Sequence, residues 1–288
     1  MTDALVIEGL SKKFARFKLD AVSLSLPVGF IMGFVGQNGA GKTTTIRLIL
    51  NMAKRDAGKI TVLGLDNIAD ELTLKQEVAV VFDDLTLIDS WRISEVEKVM
   101  APFYNRWDSR CYNNYLMRFD LPKDRKIADL SRGMKLKLSM SVALSHDAKL
   151  LILDEPTSGL DPVARDELLD VLHEYIEDGT RSVFFSTHIT SDLDKVADYI
   201  TLIDRGRIFY CGTKDGLTNA FVLAKGPLEE LSDSLRERMI GVSVTRIGFT
   251  GLLPASQIGA LSPTMVADRP EIDDILVHIA KEDRHHAS

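Results

Sequence analysis

The chain has 288 residues, 45% of them apolar, enough to bury a full core in one main domain with an appendage. Its formal charge of −7, without a long Lys/Arg block, argues against nucleic acid as the main partner. Two isolated cysteines, Cys111 and Cys211, exclude a disulfide framework or a cysteine metal cluster and fit a reducing compartment.

The opening MTDALVIEGL has no basic n-region and no apolar h-region, so no signal peptide is expected. The longest uncharged stretch, Ala21–Gly41, is cut by Pro27 and glycines and reads as strands rather than as a spanning helix. A soluble protein is expected, with any membrane role supplied by a partner.

In chain order, ALVIEGL, AVSLSL and the run Phe30–Val35 read as strands, and helix periodicity starts at Thr44 and runs through Leu50. AVVFDD contains a short buried strand, Val78–Phe82. From about 86 to 145 the pattern is mostly helical, with Ser94 and Glu97 spaced as a capping box. Within this block LSRGM, residues 130–134, reads as a helix start with Ser131 as its cap. KLLILDEP is a buried strand. The next helix has Asp161 as N-cap, Pro162 at its first position and Gly179 as terminator. SVFFSTH is a strand followed by a helix through Ala197, and YITLIDRGRIFYCG is a hairpin turning at Arg205-Gly206. Beyond about Lys225 a polar helix is expected at Leu228–Met239, then short strands and a final amphipathic helix, PEIDDILVHIAKED. Alternating strands and helices predict an α/β fold with a mixed, largely parallel sheet, an antiparallel β part and an inserted α-helical subdomain. The expected division is 1–225 with the helical subdomain at about 86–145, then a small extension, 226–288.

GQNGAGKTTT fits G-x-x-x-x-G-K-[ST] at Gly36, Gly41, Lys42 and Thr43, after a buried strand and at the start of a helix. Such glycines let backbone N–H groups wrap a phosphate chain, Lys42 offers a charge to the outer phosphates, and Thr43 offers a hydroxyl to Mg²⁺. The loop predicts a nucleoside triphosphate bound by Gly36, Gln37, Asn38, Gly39, Ala40, Gly41, Lys42, Thr43 and Thr44. Asp154 and Glu155 close a buried strand. The first is placed to hold Mg²⁺ through water, the second to orient the attacking water or take its proton. His188, after the next strand, is placed to meet a γ-phosphate.

The ordered set of phosphate loop, LSRGM, LILDEP, SGLD at 158–161 and STH resembles the nucleotide-binding subunit of ABC transporters over about residues 3–215. The resemblance implies an ATPase that uses ATP and Mg²⁺, with Glu155 and His188 catalytic and Thr43, Asp154 and Asp83 at the metal. It also implies two cassettes packed head to tail, as a homodimer or a heterodimer with a second ABC ATPase. Ser131 and Gly133 would then bind the γ-phosphate held by the facing chain, and Ser158, Gly159 and Asp161 would form the dimer loop. The adenine-stacking aromatic aligns with Phe14, with Phe17 as the alternative. The sequence departs from the family at three positions. Arg132 and Met134 stand where Gly and Gln are usual, and Asp83, followed by Asp84, stands where a metal-contacting Gln is usual. A carboxylate at 83 needs Mg²⁺ or a Lys/Arg to neutralise it, so its loop is expected to stay away from an empty site.

Only 89 residues separate Lys42 from Ser131, too few for the long coiled coil of DNA-repair relatives. VGQNGAGKTTTIRLIL, the double aspartate and APFYNRWD resemble the bacterial antibiotic and peptide export group. The expected protein powers export through a separate integral membrane permease, sits on the inner face of the cell membrane through that partner, and binds no nucleic acid. The alternative is a soluble ABC ATPase that remodels a ribosome or a DNA complex.

Overall fold

The computed structural model describes residues 2–83 and 87–286, the side chains of 283–286 excepted. Three strands open the chain: β1 (Asp3–Lys13), β2 (Lys18–Pro27) and β3 (Ile31–Val35). Helix α1 (Lys42–Ile49), β4 (Ala57–Val62), β5 (Leu65–Asp66), α2 (Glu71–Glu77) and β6 (Val78–Val81) follow. The helical block holds α3 (Ile93–Met100), α4 (Ser109–Arg118) and α5 (Arg132–Ala143), joined by 3-10 turns at Ala101–Phe103 and Ile127–Asp129. The chain then runs β7 (Leu150–Asp154), α6 (Pro162–Ile176), β8 (Ser182–Thr187), α7 (Thr190–Val196), β9 (Tyr199–Asp204) and β10 (Arg207–Thr213). The last elements are α8 (Lys214–Asn219), β11 (Phe221–Gly226), α9 (Asp233–Arg236), β12 (Ile240–Val244), β13 (Phe249–Pro254), β14 (Val266–Asp268) and α10 (Ile272–His286).

Two sheets organise the first part of the chain. One is antiparallel, in the order β2-β1-β4-β5; the other has six strands in the order β10-β9-β3-β8-β7-β6. In the second sheet β3 lies parallel to both β8 and β9, and β7 is parallel to β8 and β6. β3, β7 and β8 are buried at every residue, which is why their centres, Leu150–Leu153 and Val183–Phe185 among them, read as apolar runs rather than alternating ones. The core joins residues of both sheets, among them Leu5, Leu24, Ile60, Phe34, Ile152 and Phe184.

Some sequence expectations are refined. The helix-starting carboxylate in the helical block is Glu95, whose Oε2 accepts from Arg92 N–H at 2.7 Å. The cap therefore lies two residues before the expected Ser94–Glu97 pair, and Glu97 instead accepts from the Trp107 indole at 3.2 Å. The expected helix at Leu228–Met239 is a 3-10 turn (Leu228–Glu230) followed by α9, because Ser232 Oγ accepts from Leu235 N–H and starts a new helix. β4, β5 and α2 were not read from the pattern; β4 is recruited by antiparallel pairing with β1, from Leu5↔Val62 to Ser11↔Ala57.

The chain divides into two compact units, Met1–Cys211 and Gly212–Ser288, rather than at 225/226. The reason is strand pairing, since β11 hydrogen-bonds to β13 and β14 in a third sheet of order β12-β13-β11-β14. This unit has its own core of Ala224, Leu235, Met239, Phe249 and Leu253. In it, buried His278 meets Gly241 O through Nδ1 at 2.7 Å, so α10 is tied to β12.

The β9–β10 hairpin turns at Arg205 (φ 44°) and Gly206 (φ 78°), two left-handed residues as a two-residue hairpin requires. Gly206 N–H donates to Ala40 O at 3.0 Å and Gly206 O accepts from Asp20 N–H at 2.8 Å, so this turn braces the loop after β3. A Cβ at 206 would come within 1.9 Å of Lys18 O. Gly206→Ala is expected to destabilise the fold by more than ~1 kcal/mol, read by chemical denaturation, and to weaken nucleotide binding through Ala40, read by titration.

Candidate active site at the strand ends

Because β3, β8 and β7 are parallel and adjacent, their C-terminal ends lie along one edge of the sheet, the usual place for a ligand in an open α/β sheet. Register pairs Val35 with Thr187, and Asp154 with Ser186. Three segments distant in sequence therefore emerge together: the loop from Gly36, the pair Asp154–Glu155, and His188.

The loop is shaped by glycine. Gly41 caps α1 at φ 116°, and a Cβ there would meet Leu19 Cδ2 and Phe17 Cζ at 2.8 Å. Gln37, Asn38 and Gly39 form the exposed tip, closed by Ala40 N–H donating to Gln37 O at 3.1 Å. The first N–H groups of α1, through Thr43 and Thr44, lack intrahelical acceptors and face the loop opening, which suits an anion. Thr45 does not join them, since its hydroxyl donates to Gly41 O at 2.9 Å inside the core.

Lys42 is 6% exposed and its ammonium is fully engaged. It donates to Gly36 O at 2.7 Å and Gln37 O at 3.3 Å, and lies 3.0 Å from Glu155 Oε1. The other carboxylate oxygen, Glu155 Oε2, lies 2.7 Å from His188 Nδ1. A buried ammonium without a counter-charge is costly, and Glu155 supplies that charge. The structure thus brings Lys42, Glu155 and His188 into one contact chain.

Sequence reasoning missed Ser186, whose hydroxyl bridges the Asp154 carboxylate and the Glu155 backbone. Its Oγ donates to Asp154 Oδ1 at 2.6 Å and accepts from Glu155 N–H at 3.1 Å. Glu155 has φ 51°, left-handed for a non-glycine residue, and is held there by its N–H bonds to Ser186 O and Oγ. The available signal was a hydroxyl directly after the apolar run VFF, since a fully buried hydroxyl needs a partner. Asp154 is 4% exposed, with one oxygen held by Ser186. Its carboxylate oxygens and the Thr43 hydroxyl are hard donors, of the kind a magnesium ion takes beside phosphate and water.

Other predicted residues lie apart from this chain of contacts. Phe14 is 44% exposed and stacks on Phe17, with ring centroids 6.3 Å apart. Phe17 packs towards Gly41, which leaves Phe14 as the outward ring. Ser131 caps α5, its Oγ accepting from Met134 N–H at 3.3 Å, and both Ser131 and Arg132 are exposed. Ser158 is half-buried and Gly159 and Asp161 are exposed, with Asp161 capping α6 by accepting from Val163 and Ala164 N–H at 3.0 Å. The Ala164 N–H bond, with that of Val163, lowers the Asp161 pKa from the ordinary range. Thr157, just before this loop, donates to buried Asp192 at 2.6 Å, and Arg165 also pairs with Asp192. Asp83 pairs with Arg132 and not with Thr43 or Asp154; Asp84 lies outside the described residues.

Ser186→Ala removes the hydroxyl shared by Asp154 and Glu155 while sparing the apolar packing. The expected result is a stability loss of roughly 1–3 kcal/mol by thermal or denaturant unfolding. A fall in phosphate-release rate larger than the fall in nucleotide affinity is also expected.

Residues 19–158 match the family described as ABC transporter. The chain is 27% identical to the daunorubicin resistance ATP-binding protein DrrA3 of Streptomyces coeruleorubidus over 98% of this chain and 97% of that one. It is 32% identical to the Nod factor export ATP-binding protein I of Rhizobium leguminosarum bv. viciae, over 71% of this chain and 67% of that one. A solved ATP-binding subunit of an ABC transporter superposes with a TM-score of 0.68 at 26% identity, covering 74% of this chain and 91% of that one. With the phosphate loop and two carboxylates at strand ends on one sheet edge, these likenesses establish that the chain belongs to the ABC transporter family as an ATP-hydrolysing, ATP-binding subunit.

Proposed function

We propose that this subunit powers export of a drug, antibiotic or peptide through a separate integral membrane permease, working as a pair of copies packed head to tail. The observation that carries the catalytic part is the contact chain Lys42–Glu155–His188 beside buried Asp154. The names of the relatives above, which concern drug resistance and export, support the cargo class. The acidic net charge of −7 supports a role without nucleic acid.

Lys42 turns from Glu155 to the outer phosphates of ATP, since a triphosphate is the stronger anion. Glu155, relieved of its ammonium partner, keeps a free carboxylate oxygen to orient water and accept its proton. His188 holds the other oxygen and reaches towards the terminal phosphate. Phe14 would stack on the adenine, and Thr43 and Asp154 would hold Mg²⁺, whose charge would offset that developing on the phosphate oxygens. Ser131 and the Gly133 N–H of the facing copy complete the site, and Ser158, Gly159 and Asp161 line the junction between copies.

The permease contact is the apolar groove of about 650 Å³ formed by α1, α2, β6 and the turn after α3. Leu72 at its rim is 82% exposed, Phe103 66% and Met52 62%, a cluster of large apolar side chains suited to a helix of the membrane partner. No helix among the described residues is long and apolar enough to cross a membrane. In this reading the chain reaches the inner face of the membrane through that groove.

Glu155→Gln is expected to lower turnover by about 10²–10⁴ while trapping an ATP-bound dimer in gel filtration. Lys42→Ala should instead weaken ATP binding, and Ser131→Arg should leave ATP binding to the monomer but prevent ATP-driven pairing. Rapid hydrolysis by the Gln variant removes Glu155 from the catalytic role. For the groove, a Leu72→Asp/Phe103→Asp variant should keep soluble ATPase activity yet lose co-purification with the permease from membranes. Retained co-purification excludes the groove as the contact.

A further inference from the structure

Two departures from the family pattern meet in space. Arg132, where glycine is usual, forms an ion pair with Asp83, where glutamine is usual, and both side chains are about half exposed, at 51% and 47%. The same guanidinium lies against Gly159, where a Cβ would stand 2.9 Å from Arg132 Nη1. One cation thus joins the segment leaving β6, the first residue of α5 and the exposed loop before α6.

The contact answers an electrostatic need. β6 pairs with β7 up to Val81↔Leu153, so Asp83 leaves the sheet beside the end that carries Asp154 and Glu155. A third carboxylate there is repelled unless neutralised, and Arg132 neutralises it. α5 does not depend on this bridge alone for its seat, because Lys137 pairs with Glu167 of α6 at 2.7 Å and Leu138 is fully buried.

A half-exposed ion pair is weakly held, whereas a guanidinium binds phosphate through two parallel N–H bonds. Side chains at the first position of a helix lean towards its N-terminus. Arg132 therefore leans towards the end of α5 that carries Ser131. We propose that Arg132 is an exchange residue. With the facing site empty it neutralises Asp83 of its own chain. When the partner copy presents the terminal phosphate of ATP, Arg132 leaves Asp83 for that phosphate and frees a carboxylate beside Asp154. Nucleotide in one site thereby changes the charge at the other. The inference rests on the head-to-tail pairing proposed above and adds the residue that reads the facing nucleotide.

The test uses the full chain carrying Glu155→Gln, with self-association measured by sedimentation in Mg·ATP and Mg·ADP. Adding Arg132→Gln is expected to weaken ATP-driven pairing about tenfold or more, because the phosphate contact is lost. Adding Asp83→Asn is expected to tighten it several-fold, because Arg132 is no longer held in its own chain; ADP should leave both variants unpaired. The charge-reversed Asp83→Arg/Arg132→Asp variant rebuilds the bridge within the chain, yet it should pair as poorly as Arg132→Gln. If Arg132→Gln and Asp83→Asn shift pairing in the same direction, or neither shifts it, the exchange is wrong. Restoration of pairing by the reversed variant likewise makes the bridge a bracket only. If the Glu155→Gln parent itself stays monomeric in ATP, the head-to-tail pairing falls and takes the exchange with it.

Discussion

The parallel pairing of β3, β8 and β7 is the constraint on which the site depends. Three strands in this order deliver the ends of three separate segments to one edge, within a few ångströms of one another. None of these contacts is local, since Lys42 and Glu155 are over a hundred residues apart in the chain. The register pair Asp154↔Ser186 sets the heights of the carboxylates, and Val35↔Thr187 sets the loop against them. A slip of one residue in β8 would turn Ser186 away and separate Glu155 from His188.

Charge at this edge is matched within the chain. Lys42 and Glu155 are both largely withdrawn from water, at 6% and 16% side-chain exposure, so each needs the other or a substitute. A triphosphate is such a substitute for Glu155 at Lys42. The left-handed backbone of Glu155, tied by Ser186, keeps the carboxylate aimed at the site whichever partner Lys42 has.

The helical block and the loop before α6 follow a different logic. They carry the exposed motif residues Ser131, Arg132, Gly159 and Asp161 on elements braced by the buried Thr157–Asp192 contact and the partly buried Lys137–Glu167 pair. Rigid support under an exposed polar surface suits a surface completed by another molecule. The second unit is held by its own sheet and by the α10–β12 contact through His278 and Gly241.

Much of this was legible in the residues alone. The phosphate loop, the buried strand ending in Asp154-Glu155, the Asp161 and Ser131 caps and the Arg205-Gly206 hairpin all rest on local chemistry, which spacing and residue type report directly. Residues whose role depends on non-local pairing were not legible. β4 became a strand because β1 offered an edge, and the unit boundary moved to 211/212 because β11 found β13 and β14. Ser186 gained its role from strand register, and Arg132 met Asp83 only because α5 and the end of β6 come together in three dimensions. The sequence by itself determined which groups are chemically able to hold a phosphate chain and act on it. Tertiary structure alone decided which of them touch, because contact across a parallel sheet is set by strand order and register, and neither is written in any local stretch.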